Sequence, residues 1–356
     1  MAGPKGYTAA DYEAAVRIHG NKEKAAKALG INPRTLKRYL NRYLAQNPPV
    51  ENITELPPDD ISADEIWERA KRDSAVKVKY LEAEAGWRKQ KLKVKGPFGI
   101  LFFGDPHLDD AHANFAKAEE HIAIANSSEA ILSCNLGDTL NNWVGNLQRL
   151  YANQNMGATR ALKIYEKFLN SVPWWLWIFG NHCLWPTANS GLMRKLATEG
   201  ASIAADWCVK VDLELPNGKH LKINAAHNFK GSSRFNQNHA LFVENLETGG
   251  EADIIVAGDH HVWQTDQVEH PKTGRYTTII RARGYKLGGE YERMLGFKNQ
   301  KEGHAVFVIV NPDAEGPAFV TAFADASYGA RMLKLLRDDW ARGQAKTSPR
   351  AKNRGF

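Results

Sequence analysis

The pattern of apolar and polar positions predicts three short helices near the start of the chain, over residues 8–44. Thr8 is a suitable cap for the first helix and Gly20 a suitable end, and a second helix over residues 22–29 would end at Gly30. Pro33 opens the third helix, because proline is tolerated in the first helical turn. The apolar positions on the inner side of this third helix are Leu36, Tyr39, Leu40 and Tyr43.

A linker and a single helix are predicted next. Residues 46–60 hold four prolines and four acidic residues, which is typical of an extended linker. A helix that begins near Ser62 and reaches at least Val78 carries charges of both signs along its length. Its pattern indicates a partly exposed connector or interaction helix, and the sequence does not show the role of this helix.

After Gly96-Pro97, apolar runs of strand length alternate with helical stretches. The strand-like runs are 99–103, 130–135, 174–179 and 254–257, and the helical stretches are 113–126, 158–171, 191–199 and 238–246. A turn at Pro216-Asn217-Gly218 and alternating residues over 305–310 and 318–324 add hairpin-like pieces. Buried strands separated by helices predict an α/β fold with a mixed sheet that is covered on its faces.

Composition and charge narrow the class of protein. The chain has 356 residues and three cysteines, so it is too long for a small disulfide-stapled scaffold, and the odd cysteine count favours a reducing compartment. No apolar run is long enough to span a membrane and no signal-like segment opens the chain, which predicts a soluble cytoplasmic protein without a membrane partner.

The net charge of +7 is concentrated at the two ends of the sequence. Residues 1–45 hold nine Lys or Arg against three Asp or Glu, residues 331–356 hold eight against two, and the residues between them are net acidic. A basic end indicates either a nucleic-acid contact or a solvated tail.

Residues 25–40 carry a pattern that allows two helices to cross closely. Small alanines line the crossing, and Gly30 permits the left-handed turn between the helices. This segment resembles the helix-turn-helix of the bacterial Fis-type regulators. The resemblance implies that the second helix enters the DNA major groove and contacts DNA through Arg34, Thr35, Lys37, Arg38 and Arg42. The alternative is a helical hairpin that packs on the larger domain with its charges in solvent.

Polar residues that suit a metal site follow five apolar segments. They are Asp105 and His107, Asp138, Asn181 and His182, His227, and Asp259 with His260 and His261. Because the carboxyl ends of strands form the ligand crevice of an α/β sheet, these five loops are expected to converge. Carboxylate, imidazole and amide groups together suit a hard-to-borderline divalent cation, although each motif alone is as well explained by an ordinary turn.

In this order, the motifs resemble those of the calcineurin-like metallophosphoesterase superfamily, over residues 97–325. The resemblance implies the metallophosphoesterase fold, a mixed β-sheet sandwich flanked by helices, with two divalent metal ions. It also implies a division of roles. Asp105, His107 and His261 would hold one metal, Asn181 and His227 the second, and Asp138 would bridge them, while His182 would stabilise the transition state and protonate the leaving oxygen.

The implied chemistry is hydrolysis by a metal-activated water. Two metals about 4 Å apart can bind two oxygens of a phosphate ester and lower the pKa of a bridging water toward neutrality. A histidine beside them can protonate the leaving alkoxide. We expect Mn²⁺, with Mg²⁺, Zn²⁺ or Fe²⁺ as alternatives.

Two positions depart from the family pattern. Asp259 stands where the family has the first His of Gly-His-x-His. A carboxylate there can still bind the metal and favours a harder ion such as Mn²⁺, and the alternatives are a weaker second metal or an altered role. Cys183 follows His182 where an acid is common, which leaves the support of His182 open.

Residues near the motifs receive weaker predictions. Asp109 and Asn141 are expected either to orient the ligands or to make no contact. Structural or surface roles are expected for His239, His270 and His304, core positions for Trp174, Trp175 and Trp177, and no catalytic thiol at Cys134 or Cys183. Candidate contacts of a substrate phosphate are Asn228, Lys230, Arg234, Tyr285 and Lys286.

The two resemblances together predict a metal-dependent phosphodiesterase, a DNA nuclease that its helix-turn-helix targets to DNA. We expect a helix-turn-helix domain over 1–45, a linker and connector helix over 46–96, a catalytic domain over 97–325, and a C-terminal helix with a basic tail over 326–356. The combination resembles phage proteins, which would act in the host cytoplasm. The alternatives are a phosphatase on a protein or small phosphoester, and a non-enzymatic DNA-binding protein with a vestigial metal domain. The sequence leaves a homo-oligomer open.

Overall fold

The computed structural model describes residues 6–46, 62–154, 156–187, 189–233, 235–288 and 305–347. These fall into two compact units, residues 1–75 and residues 76–356. Most of the predicted linker, from residue 47 onward, lies outside the described residues, as do Arg234, His304 and the basic tail from residue 348.

Three helices form the core of the first unit: α1 (Ala9–His19), α2 (Lys22–Leu29) and α3 (Pro33–Gln46). Thr8 caps α1 in a reciprocal capping box with Asp11, Asn21 caps α2, and Gly20 and Gly30 end these helices in the left-handed conformation. The buried apolar side chains are those of Tyr12, Ala15, Ala25, Ala26, Leu36 and Leu40. All three predicted helices are confirmed, although Ile18, one of the apolar positions of α1, is 74% exposed.

A long helix, α4 (Ala63–Ala85), runs across the boundary between the units, and none of its described residues is buried. Its end at Ala85 agrees with the prediction of a helix that reaches at least Val78. The strand that follows, β1 (Trp87–Lys91), was not predicted, and it pairs in parallel with a strand more than a hundred residues further along.

Two six-stranded mixed sheets form the second unit, and their strand orders are β1-β6-β7-β8-β10-β9 and β12-β11-β2-β3-β4-β5. The strands are β2 (Phe98–Phe103), β3 (Ile131–Asn135), β4 (Trp174–Phe179), β5 (Ile203–Asp206), β6 (Cys208–Glu214), β7 (His220–Ala226), β8 (Ile254–Ala257), β9 (Gln264–Glu269), β10 (Tyr276–Arg281), β11 (Val306–Val310) and β12 (Val320–Phe323). Neighbouring β2, β3, β4 and β5 run parallel, and so do β7, β8 and β10.

The sheets stack face to face over a shared apolar core. Alternate residues of each strand point to opposite faces, so Ile100 and Phe102 of β2 enter this core, whereas Leu101 and Phe103 point to the outer face. The same alternation puts Ile254 of β8 between the sheets and Ile255 on the opposite side.

Helices cover both outer faces. Those packed on the β2–β5 sheet are α5 (Phe115–Ala125), α6 (Ala158–Leu169), α8 (Ser190–Gly200) and α10 (Ala326–Thr347), and α9 (His239–Glu247) packs on the other sheet. A short helix, α7 (Asn181–Leu184), and two 3₁₀ segments, Gly145–Asn153 and Gly316–Ala318, complete the described elements. Among the described helices, none is long and apolar enough to cross a membrane.

This architecture confirms the predicted fold class, a mixed β-sheet sandwich flanked by helices and preceded by a small helical region. The tryptophans of β4 are buried as predicted, with Trp174 and Trp177 among the largest fully buried side chains. Buried Cys134 and Cys183 also agree with the prediction of inert thiols, since burial raises the pKa of Cys183 to about 12.

Candidate active site

Five strands end at one edge of the sandwich, and the residues that follow them meet there. Asp105 and His107 follow β2, Asp138 follows β3, and Asn181 and His182 open α7 after β4, all in one sheet. In the other sheet, His227 follows β7, and Asp259 and His261 follow β8. The site therefore lies where the carboxyl ends of neighbouring parallel strands from both sheets come together, as the loop positions predicted.

His227 lies at the centre of a cluster of oxygen atoms. Its Nε2 is 2.9 Å from Oδ1 of Asn181, 3.2 Å from Oδ2 of Asp138 and 3.5 Å from Oδ1 of Asp259. Ligand atoms of Asp105, Asp138 and His227 all lie within 4.8 Å of one another, and all three residues are buried. Three carboxylates thus surround one imidazole.

The buried oxygens of Asp105 have little hydrogen-bonding support. Asp105 is fully buried, and neither of its carboxylate oxygens accepts a hydrogen bond from a side chain that the structure describes, His227 Nδ1 being 3.6 Å from Oδ1. Burial raises the pKa of Asp105 well above its usual value, and the charges of Asp138 and Asp259 add to the rise. A divalent cation would satisfy these oxygens, so the residues present fit a metal site.

The orientation of His227 also suits a metal ligand. Its Nδ1 lies 2.9 Å from the carbonyl oxygen of Leu136. Because a carbonyl oxygen only accepts, Nδ1 carries a proton, and Nε2 is the atom that faces the carboxylates. Burial alone would lower the pKa of His227, but Asp138, together with Asp259 and Asp105, outweighs burial and raises the pKa well above its ordinary value.

Three histidine rings line the other side of the cluster. The rings of His107 and His261 stack with centroids 5.0 Å apart, and the ring of His182 meets that of His107 edge-on at 5.1 Å. Burial holds the pKa of His107 well below its ordinary value, and neighbouring His261 lowers it further. His107 is therefore neutral near pH 7, the form in which imidazole binds a metal.

Backbone strain is concentrated at these residues. Of the described non-glycine residues, seven have a positive φ, and five of them belong to the site: Asp105, His107, Asp138, Asp259 and His261, with φ between 26° and 67°. Each such conformation costs on the order of 1–3 kcal/mol and persists only where the surrounding structure fixes it. The surrounding structure thus holds the loops in the conformation that aims these side chains inward.

Glycines next to the ligands leave room that a larger residue would fill. A Cβ at Gly180 would lie 2.6 Å from Cε1 of His227, and one at Gly137 would lie 2.5 Å from its Nδ1. The backbones of the Gly137 and Gly180 loops can therefore approach the His227 ring only because these two residues have no side chain.

The support of His182, left open by Cys183, comes from the loop after β3. Nδ1 of His182 donates to the carbonyl oxygen of Asn141, while its Nε2 lies 3.8 Å from Oδ2 of Asp138. Asp109 holds that loop in place, since its Oδ1 accepts from the backbone N–H of Asn141 at 2.8 Å and its Oδ2 from Gln154 at 3.0 Å. Of the two alternatives for Asp109 and Asn141, the structure shows the orienting one.

Two of the proposed phosphate contacts are corrected by the structure. Tyr285 is fully buried and its hydroxyl lies 2.7 Å from Nδ1 of His121, so it belongs to the core. Lys286 is also buried, and its Nζ forms an ion pair with Oδ2 of Asp110 at 2.8 Å, so its charge is already paired within the protein. Lys230 is exposed, and Asn228 lies at the site but donates to Asp259.

The remaining histidines fit their predictions where the structure describes them. His239 is exposed and His270 is buried. His260 lies next to the cluster, and its Nε2 is 3.7 Å from Oδ2 of Asp259.

In the first unit, the candidate DNA-contacting residues lie on the outer side of α3. Arg34, Lys37, Arg38 and Arg42 are exposed and Thr35 is half-buried, opposite the buried Leu36 and Leu40. The α2–α3 turn has the left-handed Gly30 that the motif requires.

Comparison with known proteins supports the resemblance of this helical region to the Fis-type regulators. Residues 13–43 match the family described as "Bacterial regulatory protein, Fis family", which covers α2 and most of α1 and α3. No curated protein sequence matches the chain.

The solved structures that match the chain share little sequence with it. A conserved protein from Streptococcus pneumoniae, described as a predicted phosphoesterase, is 12% identical with a TM-score of 0.32, over 65% of this chain and 99% of that one. A hypothetical protein from Thermus thermophilus is 15% identical with a TM-score of 0.32, over 64% and 98%. A protein of unknown function from Aquifex aeolicus is 16% identical with a TM-score of 0.26, over 46% and 80%. At these values the similarities support no statement about activity.

Proposed function

We propose that the chain is a metal-dependent phosphodiesterase that hydrolyses DNA, and that its helix-turn-helix binds the DNA. The observation that carries the proposal is the convergence of five strand-end loops on the buried carboxylate of Asp105, whose oxygens accept no hydrogen bond from a described side chain. The resemblance of these loops to the calcineurin-like metallophosphoesterases supplies the reaction class. Mn²⁺ is the ion that we expect.

The donor groups divide into two sets around Asp138. We assign Asp105, His107 and His261 to one ion, Asn181, His227 and Asp259 to the second, and Asp138 to both. The contacts of His227 Nε2 with Asn181, Asp138 and Asp259 support the second set, and the stacked rings of His107 and His261 support the first. Two divalent cations would neutralise phosphate oxygens and lower the pKa of a water molecule, so that hydroxide attacks near neutral pH.

His182 is the group that we assign to the leaving oxygen. Its Nδ1 is held by the carbonyl oxygen of Asn141, so Nε2 is the nitrogen directed to the cluster. Nε2 lies 3.8 Å from Oδ2 of Asp138, and from this position it can donate a proton to the alkoxide as the bond to phosphorus breaks.

Aromatic side chains at the site favour a nucleic-acid substrate over a small phosphate ester. The ring of Trp185 lies 4.2 Å from that of His182, centroid to centroid. Trp207 and Trp263 follow strands that end at the same edge and are 51% and 40% exposed. Exposed aromatic rings stack on unpaired bases, so Trp207 and Trp263 are candidate contacts of a DNA strand beside the cleaved bond.

Small esters separate a phosphodiesterase from a phosphatase. In Mn²⁺, the protein should hydrolyse bis(p-nitrophenyl) phosphate faster than p-nitrophenyl phosphate, and the Asp138→Asn variant should hydrolyse neither. A preference for the monoester would instead favour a phosphatase.

A comparison of two variants tests the non-enzymatic alternative. Asp138→Asn should remove hydrolysis and keep DNA binding, whereas Arg38→Ala should weaken DNA binding and keep hydrolysis of the small diester. A DNA-binding protein with a vestigial metal domain would show no hydrolysis in any variant.

A further inference from the structure

Arg281, at the end of β10, is a buried charge that the proposed reaction does not use. Its side chain is fully buried, and Nη1 donates to the carbonyl oxygen of Gly258 at 2.8 Å and to Oδ1 of Asn228 at 3.0 Å. Nε and Nη2 are also buried and donate to no acceptor among the described residues. A buried guanidinium with unsatisfied donors is costly, so its position calls for a compensating interaction.

Asn228 connects Arg281 to the metal cluster. Its Oδ1 accepts from Arg281, while its Nδ2 donates to Oδ2 of Asp259 at 2.6 Å. A guanidinium, an amide and a carboxylate therefore form one hydrogen-bonded chain. The second contact of Arg281, with Gly258, fixes the backbone one residue before Asp259.

The charge of Arg281 balances that of Asp259. The cluster already contains the buried carboxylates of Asp105 and Asp138, and Asp259 adds a third negative charge at a position where the family resemblance has a neutral imidazole. Burial lowers the pKa of Arg281 to about 10, so the guanidinium stays positive near pH 7.

We propose that Arg281 and Asn228 are positioning residues that hold Asp259 as a metal ligand, with Asn228 fixing the orientation of the carboxylate and Arg281 offsetting its charge. The inference rests on the proposed metal site. One oxygen of Asp259, Oδ2, is held by Asn228, and Oδ1 is thereby turned toward His227 Nε2 at 3.5 Å, where an ion shared with His227 would bind.

Two variants interrupt these hydrogen bonds between Arg281, Asn228 and Asp259 at different points. Asn228→Ala removes the amide at an exposed position and should leave the fold intact, whereas Arg281→Gln removes the buried charge. Each is made in the wild-type protein and in an Asp259→Asn background. Asn217→Ala is the matched control, because it removes an amide from the β6–β7 turn at the opposite end of β7.

Titration of the metal-free full chain with Mn²⁺, followed by calorimetry, gives the first readout. Loss of a group that orients a ligand typically weakens metal binding by about 10–100-fold. We expect a loss of that size at one of the two Mn²⁺ ions for Asn228→Ala and for Arg281→Gln. In the Asp259→Asn background, either change should alter affinity by no more than about twofold, the usual error of additivity.

The melting temperature of the metal-free protein is the second readout. Arg281→Gln should lower it, because the three carboxylates lose a nearby positive charge, and Asp259→Asn should restore part of the loss. A merely structural role of Arg281 predicts the same loss in both backgrounds.

The outcomes separate the two proposals. If the wild-type chain binds no Mn²⁺, the metal site itself is wrong. If the wild-type chain binds Mn²⁺ but Asn228→Ala binds it with wild-type affinity, or if the losses are equal in the wild-type and Asp259→Asn backgrounds, the positioning role is wrong. Should Arg281→Gln fail to fold, Asn228→Ala decides the question.

Discussion

The helical region and the candidate active site are built from the sequence in opposite ways. The three helices lie within residues 9–46, are capped by their own neighbours and share a core of six buried apolar side chains. The active-site residues come from loops between residues 105 and 261 and from two sheets. The former is recognisable from a contiguous segment, as the Fis-family match shows. The latter is recognisable only when separate short motifs are read in order.

The difference extends to backbone conformation. The helical region uses left-handed backbone at glycines that end helices, where it carries no strain. The active site places Asp and His in that conformation at five positions. We infer that local sequence determines the helical region, whereas the packing of two sheets maintains the geometry of the site against local preference. Four predictions test this contrast.

The largest expected effect concerns His182. His182→Ala should lower DNA hydrolysis by about 10²–10⁴-fold, the usual contribution of a general acid, because the leaving alkoxide then lacks a proton. Hydrolysis of bis(p-nitrophenyl) phosphate should fall much less, since p-nitrophenolate leaves without one. The rates of wild type and variant on both substrates give the two losses to be compared. His239→Ala, at an exposed position, is the control. Equal losses on both substrates would assign His182 another role.

Leu36→Ala should remove the function of the helical region and leave that of the active site unchanged. Leu36 is fully buried in the small helical core, so its truncation should cost about 2–5 kcal/mol and unfold the helix-turn-helix. DNA binding should be lost, while hydrolysis of the small diester continues at the wild-type rate. The matched control is Ile18→Ala, whose side chain is largely exposed. A parallel loss of diesterase activity would show that the site depends on the helical region.

The raised pKa of His227 predicts opposite pH trends for stability and metal binding. Below its ordinary pKa near 6.5, His227 is charged in both the folded and the unfolded chain, and its ion pairs contribute fully to stability. This contribution is lost as the pH rises through the elevated folded pKa. Mn²⁺ must displace the same proton, so its affinity should rise by about tenfold per pH unit over that range.

Melting curves of metal-free protein and Mn²⁺ titrations between about pH 6.5 and pH 8.5 check both trends, because this window begins at the ordinary pKa of histidine. The metal-free melting temperature should fall with pH while the stabilisation by Mn²⁺ grows. Affinity that does not change with pH would argue against His227 as a ligand.

The smallest expected effect is that of one basic residue on α3. Arg38→Ala should weaken DNA binding and reduce the slope of log K against log salt by about one, as expected for one phosphate contact. Lys24→Ala, which also removes one positive charge but lies on α2, is the control. Fluorescence anisotropy at several salt concentrations gives the slopes, and an unchanged slope would exclude a phosphate contact at Arg38.

The sequence predicted which residues form the site, but it did not predict which groups hold them in position. Asp105, His107, Asp138 and the later motif residues meet as expected because strand ends position them. The support of His182 was not predictable, since a backbone carbonyl, that of Asn141, leaves no mark on residue identity. Arg281 and Asn228 were likewise not assigned to Asp259, because their contacts join loops that are distant in sequence.

The fold shows the same division. Strands with a continuous apolar run, such as Trp174–Phe179, were predicted to the residue. The edge strand Trp87–Lys91 was missed, since it is polar and half-exposed and depends on pairing with distant β6. Short-range periodicity carries no information about such pairing.

The central claim is that the buried cluster hydrolyses phosphodiester bonds of DNA with the help of divalent cations. Its most direct test is incubation of the purified full chain with linear and circular DNA in Mn²⁺, in Mg²⁺ and with a chelator, beside the Asp138→Asn variant. We predict cleavage by the wild-type chain in Mn²⁺, and none with chelator or by the variant. Absence of cleavage by the wild-type chain in every metal, or equal cleavage by the variant, would contradict the claim.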